Sequence, residues 1–212
     1  MSHLAIKHLA RALAVAALAG FAALLVGPSA ITAAEPATPP RPAAAAVPSP
    51  ELRDGQHDFD FELGKWKIQL KKLKAPLHHS NEWLEFSGTS TTRPLWNGKA
   101  QVEEFEVDSP VAGHLEGMTV RLYSPTSHQW SLNWANQKNG RFDTPTVGEA
   151  KDGRGEFYDQ EMYEGRMIFV RFVWSNITPR SAHFEQAFSA DGGKTWEVNW
   201  ITDQTRIEDS AR

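Results

Sequence analysis

The sequence predicts an all-β fold, an antiparallel up-and-down β-barrel of about eight to ten strands. From Lys65 onward, apolar and polar residues alternate with a period of two, which is typical of strands that bury one face. Turn-forming residues separate the alternating segments, and helix signals are almost absent from this part of the sequence. A barrel is favoured over an open sheet because closure removes the exposed edge strands.

The predicted strands follow one another at short intervals, and each has its apolar residues on one face. Asn97-Gly98 and Asp152-Gly153 tolerate positive φ and predict tight hairpins between strands. A β-sandwich is the alternative, although its Greek-key crossings usually require longer connections. The apolar residues of the predicted strands are Trp66, Ile68 and Leu70; Leu84 and Phe86; Met118, Val120 and Leu122; Trp130, Leu132 and Trp134; Ile168, Val170, Phe172 and Trp174; Phe184 and Phe188; and Trp196, Val198 and Trp200.

The first 34 residues have the order of a secretory signal peptide. Lys7 and Arg11 form a positive start, residues 12–27 are apolar, and small residues lead to a cleavage site near Ala34. The apolar run is shorter than the roughly 20 residues that a membrane span requires, although an uncleaved N-terminal anchor is the alternative. We therefore expect a bacterial protein that is periplasmic or secreted, with no stable membrane span after cleavage.

Composition divides the rest of the chain into three parts. Residues 35–54 are rich in proline and alanine and predict a disordered linker, because they offer too little apolar surface for a core. Residues 55–207 carry the strand pattern and predict one β-barrel domain, which is long enough to bury a core without disulfides. Residues 208–212 are expected to form a short tail.

Composition also excludes or disfavours several kinds of chemistry. The chain has no cysteine, which rules out disulfides, thiol catalysis and thiolate metal sites. Its formal net charge of −4 disfavours nucleic-acid binding, and the lysines of residues 65–74 alternate as on a solvated strand face. His183 lies on a predicted strand, but its parity points away from the aromatic face, which disfavours a haem ligand. No nucleophile or phosphate-loop motif occurs, and no metal or cofactor is expected.

The first predicted strand carries Gly64-Lys65-Trp66, which resembles the Gly-x-Trp signature of calycins, the superfamily of lipocalins and fatty-acid-binding proteins. The resemblance implies that Trp66 closes one end of the barrel and that Arg206, from the last strand, packs over its ring. A guanidinium group on an indole face contributes about 1–2 kcal/mol when shielded.

Residues 57–206 as a whole resemble an uncharacterised bacterial domain-of-unknown-function family with a calycin-like barrel. This resemblance implies a fold and no activity. The residues that support it are Phe59-Asp60-Phe61, Gly64, Trp66, Glu82-Trp83, Arg121-Leu122-Tyr123, Trp130, Trp134, Arg171-Phe172-Val173-Trp174, Glu185-Gln186-Ala187-Phe188 and Asn199-Trp200.

The segment from Ser189 to Trp196 matches the Asp-box pattern Ser-x-Asp-x-Gly-x-Thr-Trp of sialidases. In sialidases these segments are structural hairpins that repeat once per propeller blade. This chain has one copy and is too short for a six-bladed propeller, so we expect a hairpin in which Asp191 accepts hydrogen bonds from turn amides.

Six residues are the candidates for ligand binding. Glu82, Glu103 and Gln186 are polar residues in phase with the apolar face of their strands, and an inward carboxyl group should have a raised pKa unless it is paired. Trp134, Trp174 and Trp200 share that face and would supply contact area. The alternatives are core packing for the tryptophans and a bulge that turns the glutamates to water. If the polar face lined the interior instead, Arg171, Glu185 and Asn199 would form the pocket; otherwise Arg171 would pair with Glu185 or Glu197.

The leading hypothesis for function is an exported barrel that binds a small, largely apolar or amphipathic molecule in an aromatic-lined cavity. An enzyme on the same barrel, with Glu82 or Glu103 as general acid or base, is the second hypothesis. The third is a structural or partner-binding domain with a filled core and no cavity. The sequence leaves catalysis and the oligomeric state open.

Overall fold

The computed structural model describes residues 53–207. The predicted signal peptide (1–34), nearly all of the predicted linker (35–54) and the predicted tail (208–212) lie outside the described residues. Those three assignments therefore stay predictions.

Ten strands account for most of the described chain. A 3₁₀ turn, η1 (Asp60–Glu62), precedes the first strand, and a second, η2 (Trp96–Gly98), connects the second strand to the third. The strands are β1 (Gly64–Leu73), β2 (Trp83–Leu95), β3 (Ala100–Ser109), β4 (Gly113–Ser124), β5 (Gln129–Asn136), β6 (Thr146–Lys151), β7 (Arg154–Tyr163), β8 (Arg166–Ser175), β9 (Ser181–Ser189) and β10 (Glu197–Arg206).

The strands form one closed barrel in which each strand pairs antiparallel with its neighbours in sequence. Closure occurs between β1 and β10, where Trp66 pairs with Arg206. The predicted up-and-down barrel is therefore confirmed, and the β-sandwich alternative is wrong. The physical reason is that short hairpins keep consecutive strands adjacent, so the last strand returns to the first.

The hairpins use the residues that the sequence pointed to. Asp152 and Gly153, between β6 and β7, both have positive φ, at 53° and 77°. Between β9 and β10, Asp191 Oδ1 accepts hydrogen bonds from the backbone N–H groups of Lys194 (3.0 Å) and Thr195 (2.9 Å). The hydrogen bonds that Asp191 accepts from the backbone N–H and the hydroxyl group of Thr195 are the main cause that lowers the pKa of Asp191 to about 2. The Asp-box segment is thus a hairpin, as predicted.

Residues 55–63 close one end of the barrel. Phe59 is fully buried there, against Trp130, Phe157 and Trp174. The guanidinium group of Arg206 lies 4.1 Å from the centroid of the Trp66 ring, as the calycin resemblance implied. It also donates hydrogen bonds to the carbonyl groups of residues 61, 63 and 179.

The sequence analysis predicted the wrong inward face for one strand, β4. Thr119 and Arg121 face the barrel interior, whereas Met118, which was placed on the apolar face, is 40% exposed. The alternation was identified correctly, but its faces were exchanged. The reason is that this part of the interior is polar, because Arg121 forms an ion pair with Glu103 inside the barrel.

Candidate ligand-binding cavity

An inner cavity of about 90 Å³ lies inside the barrel, above the residues that close its end. One part of its wall is apolar and consists of Leu132 and six aromatic residues. The other part is polar. The aromatic residues are Phe105, Trp134, Phe172, Trp174, Phe184 and Trp200, and the polar residues are Glu103, Thr119, Arg121, Gln186, Thr202 and Gln204.

An outer cavity of about 380 Å³ continues from the inner one toward the opposite end of the barrel. The two share Leu132, Trp134, Phe172, Gln186 and Trp200 in their walls. The barrel wall is open beside the outer cavity because β5 and β6 pair only between residues 130–132 and 146–148. Beyond that point, residues 137–145 connect the strands, so the wall between β5 and β7 is incomplete.

Edge-to-face contacts fix the aromatic part of the wall. The Trp134 ring lies 5.7 Å from the ring of Phe105 and 6.2 Å from that of Trp200, measured between centroids. Gly117 on β4 makes room for it, because a Cβ atom at Gly117 would lie 2.1 Å from a ring carbon of Trp134. Rings held in this way form a preformed apolar surface.

A buried ion pair forms the polar part of the inner cavity. The Nη2 atom of Arg121 donates a hydrogen bond of 2.6 Å to Glu103 Oε2, and both side chains are at least nine-tenths buried. Within the described part of the chain, Arg121 Nε and Nη1 and Gln204 Oε1 have no hydrogen-bond partner. These unpartnered atoms belong to two residues that line the inner cavity, whereas buried polar groups normally have a hydrogen-bond partner.

Glu62, from η1, lies fully buried beside this ion pair. The indole N–H of Trp174 donates a hydrogen bond of 2.8 Å to Glu62 Oε1. Burial raises the pKa of Glu62 to about 7, the charge of Arg121 opposes this rise, and the charge of Glu103 adds to it. The carboxyl group is thus a proton acceptor that changes charge near neutral pH.

Two more carboxyl groups with raised pKa values lie in the outer cavity. Asp159 and Glu161 are alternate residues of β7 and both line this cavity, together with Asp143. Desolvation raises the pKa of Asp159 to about 7, and the negative charges of Glu161 and Asp143 add to the rise. Burial also raises the pKa of Glu161.

Five of the six predicted ligand-binding residues line the inner cavity: Glu103, Trp134, Trp174, Gln186 and Trp200. The structure corrects the placement of Glu82. It precedes β2, is exposed, and pairs with Lys74 on the neighbouring strand end at 2.8 Å. The prediction that Glu82 shares the inward face of β2 was wrong because the strand begins one residue later than the alternation indicated.

The alternative pocket of Arg171, Glu185 and Asn199 does not form. The guanidinium group of Arg171 lies outside the barrel, 4.6 Å from the centroid of the Trp196 ring. Asn199 is buried beside a bulge in β10 and accepts a hydrogen bond of 2.7 Å from Gln186. Arg121, Glu62 and Asp159 are the site residues that the sequence analysis missed.

Replacing Glu62 by glutamine should flatten the pH dependence of stability. Because the folded state raises the pKa of Glu62 to about 7, the native protein binds more protons than the unfolded chain. Stability should therefore fall as pH rises from the ordinary glutamate pKa to above 7, by about 3 kcal/mol. Glu62→Gln removes this loss, so the variant should be the more stable protein at about pH 8. Asp159 acts in the same direction, so part of the slope remains.

Urea unfolding across this pH range, followed by circular dichroism, measures the effect. Glu104→Gln, at an exposed position of β3, is the matched control and should keep the slope of the unmodified protein. Identical slopes for both variants would contradict a proton-binding role for Glu62.

Within residues 53–207, no group of three or more histidine, aspartate or glutamate residues is arranged to hold a metal ion. No helix in this range has the length and apolar character of a membrane span.

The closed meander, with Trp66 and Arg206 packed at one end, defines the chain as a lipocalin-like barrel. Among solved structures, it is similar to the S-type phycobiliprotein lyase CPES from Guillardia theta, with a TM-score of 0.51 and 11% identity over 74% of this chain and 95% of that one. Rv2717c from M. tuberculosis matches with a TM-score of 0.48 and 12% identity, over 74% of this chain and 100% of that one.

The first of these similarities supports the barrel fold and, at this identity, nothing beyond it. No protein-family model matches the chain, and no curated protein matches its sequence. The resemblance to a particular bacterial family therefore stays a prediction.

Proposed function

We propose that this protein binds a small, largely apolar molecule in the inner cavity, with part of the ligand extending into the outer one. The observation that carries the proposal is the combination of a preformed aromatic wall with buried polar groups at one end. Such sites use apolar contact for affinity and a few polar groups for orientation. The two cavities together fall within the range of about 300–1,000 Å³ that is usual for ligand sites.

Under this proposal, the predicted residues have different roles. Trp134 and Trp200 supply the contact surface. Glu103 acts mainly by positioning the Arg121 side chain through their hydrogen bond. An interior with a cavity counts against the hypothesis of a filled, purely structural barrel.

Native mass spectrometry of protein purified gently from its own host tests this proposal. A reproducible mass excess that disappears on denaturation is the expected result. Gly117→Val should reduce the excess, because its side chain would displace the Trp134 ring. Met118→Val, on the outer face of the same strand, is the control and should keep the excess. A chain with no bound mass in any preparation would argue against ligand binding.

We propose further that the protein is exported and that the signal peptide is removed near Ala34. The denatured mass in the same experiment should then correspond to a chain that begins near Glu35. Cell fractionation of the producing bacterium checks the compartment. A full-length mass, or protein confined to the cytoplasm, would contradict export.

An enzyme on the same barrel is the second candidate, and one observation favours it. Asp159 lies in the outer cavity with its pKa raised to about 7, which is suitable for a general acid or base. If the molecule found by mass spectrometry changes mass on incubation with the protein, Asp159→Asn should slow that change at least tenfold. Equal rates for the two proteins would exclude this role for Asp159.

A further inference from the structure

The inner end of the cavity has a hydrogen-bonding pattern that selects the head group of a ligand. Arg121, Glu103 and Gln204 line it and are 1%, 5% and 6% exposed. One nitrogen of Arg121 is committed to Glu103. Its Nε and Nη1 atoms, and the side-chain oxygen of Gln204, have no partner among residues 53–207. A buried polar group without a partner is costly, so a ligand that supplies both an acceptor and a donor gains free energy here.

The charges at this end disfavour an ionised head group. The one guanidinium group, from β4, is matched by Glu103 from β3 at 2.6 Å. Glu62 from η1 adds a second carboxyl group beside them. No other basic side chain lines the inner cavity within the described residues. A carboxylate or phosphate would add negative charge next to Glu103 and Glu62, whereas an ammonium group would lie against the guanidinium group.

The surroundings complete the description of the ligand. Trp134 and Trp200, whose ring centroids are 6.2 Å apart, line the path from the polar end to the outer cavity. Trp200 donates its indole N–H to Thr202 Oγ1, and the ammonium group of Lys72, at the outer cavity, lies 5.2 Å from the centroid of its ring. A chain or ring leaving the polar end would therefore pass between aromatic surfaces.

We propose that the ligand is a neutral amphiphile whose hydroxyl or carboxamide head group binds Arg121 and Gln204. Its oxygen accepts hydrogen bonds from Arg121 Nε or Nη1, and its O–H or N–H donates one to Gln204 Oε1. The apolar body lies between Trp134 and Trp200. This inference rests on the proposed function and names the ligand class for the same site.

A set of three probes with one chain length tests the head group. Octanamide, octanoate and octylamine are titrated into the purified protein at about pH 6, where the first is neutral and the others are charged. At this pH Glu62, whose pKa is about 7, is mostly protonated, so the charges of Arg121 and Glu103 balance. Tryptophan fluorescence reports occupancy, because Trp134, Trp174 and Trp200 line the cavity. Octanamide should bind about tenfold more tightly than either charged probe.

Two variants locate the interaction. Gln204→Leu keeps the size of the side chain and removes the acceptor, so octanamide should bind about fivefold to tenfold more weakly. Gln160→Leu, at an exposed position of β7, is the matched control and should bind octanamide as before. Arg121→Met combined with Glu103→Leu removes both members of the ion pair without changing net charge, and the preference for octanamide should disappear. Thermal unfolding of each variant shows whether it is folded.

The outcomes separate this inference from the proposed function. Equal binding of the three probes, or tighter binding of octanoate, overturns the neutral head group while the cavity remains a ligand site. Tighter binding of octylamine also overturns it and places the head group at Asp159 and Glu161. If no probe binds, the inference is wrong, and the native mass spectrum then decides whether the proposed function fails as well.

Discussion

Replacing Arg121 by methionine should lower the free energy of unfolding by about 3–5 kcal/mol. Arg121 and Glu103 are buried together, with their N and O atoms 2.6 Å apart. Methionine leaves the Glu103 carboxylate buried without its cation and removes the charge that opposes the rise in the pKa of Glu62. Breaking one member of a buried pair is costly because the remaining charge is desolvated and uncompensated. Urea unfolding at about pH 7 measures the loss.

A second substitution identifies the cause of this loss. Adding Glu103→Leu to Arg121→Met removes the orphaned charge and should restore most of the stability, since apolar residues often replace a buried pair at little cost. Lys71→Met is the control for a surface pair. Lys71 and Glu85 are more than half exposed, so their separation should cost less than about 1 kcal/mol. A loss for Arg121→Met as small as that for Lys71→Met would show that the buried pair is not needed.

The barrel could be predicted from the sequence because its strands have one solvent-exposed face and one buried face. In β8, Ile168, Val170 and Trp174 are buried, as their alternation indicated. Short turns then required neighbouring strands to pair, and an edge-free sheet of ten strands follows from closure. The calycin resemblance implied that Arg206 packs over Trp66, and the structure has this contact where β1 pairs with β10.

The polar part of the site could not be predicted in the same way. The faces of β4 were exchanged because Arg121 and Thr119 are inside, and the partner that makes this favourable, Glu103, lies on another strand. Glu62 belongs to a turn, where no alternation indicates a face. Asp159 and Glu161 lie in a strand with polar residues on both faces, so hydrophobic pattern alone cannot show which face lines the cavity.

Replacing Phe59 by alanine should also cost about 3–5 kcal/mol of unfolding free energy. Phe59 is fully buried, and its ring centroid lies 5.3–5.4 Å from those of Trp130, Phe157 and Trp174. Alanine leaves a cavity where four rings now meet. The neighbouring strands cannot close it, because their positions are fixed by the hydrogen bonds of a closed barrel. Chemical unfolding followed by tryptophan fluorescence gives the difference.

Phe142→Ala is the matched control, since Phe142 is 50% exposed and should lose less than about 1 kcal/mol. Phe59 also affects the ligand site through Glu62, three residues further on. Glu62 accepts a hydrogen bond from Trp66 at its backbone oxygen and one from Trp174 at its carboxyl group. Loosening this turn should therefore move the Trp174 indole and change the near-ultraviolet circular dichroism of the folded variant. If Phe59→Ala lost no more stability than Phe142→Ala, residues 55–63 would be a surface segment rather than the closed end of the barrel.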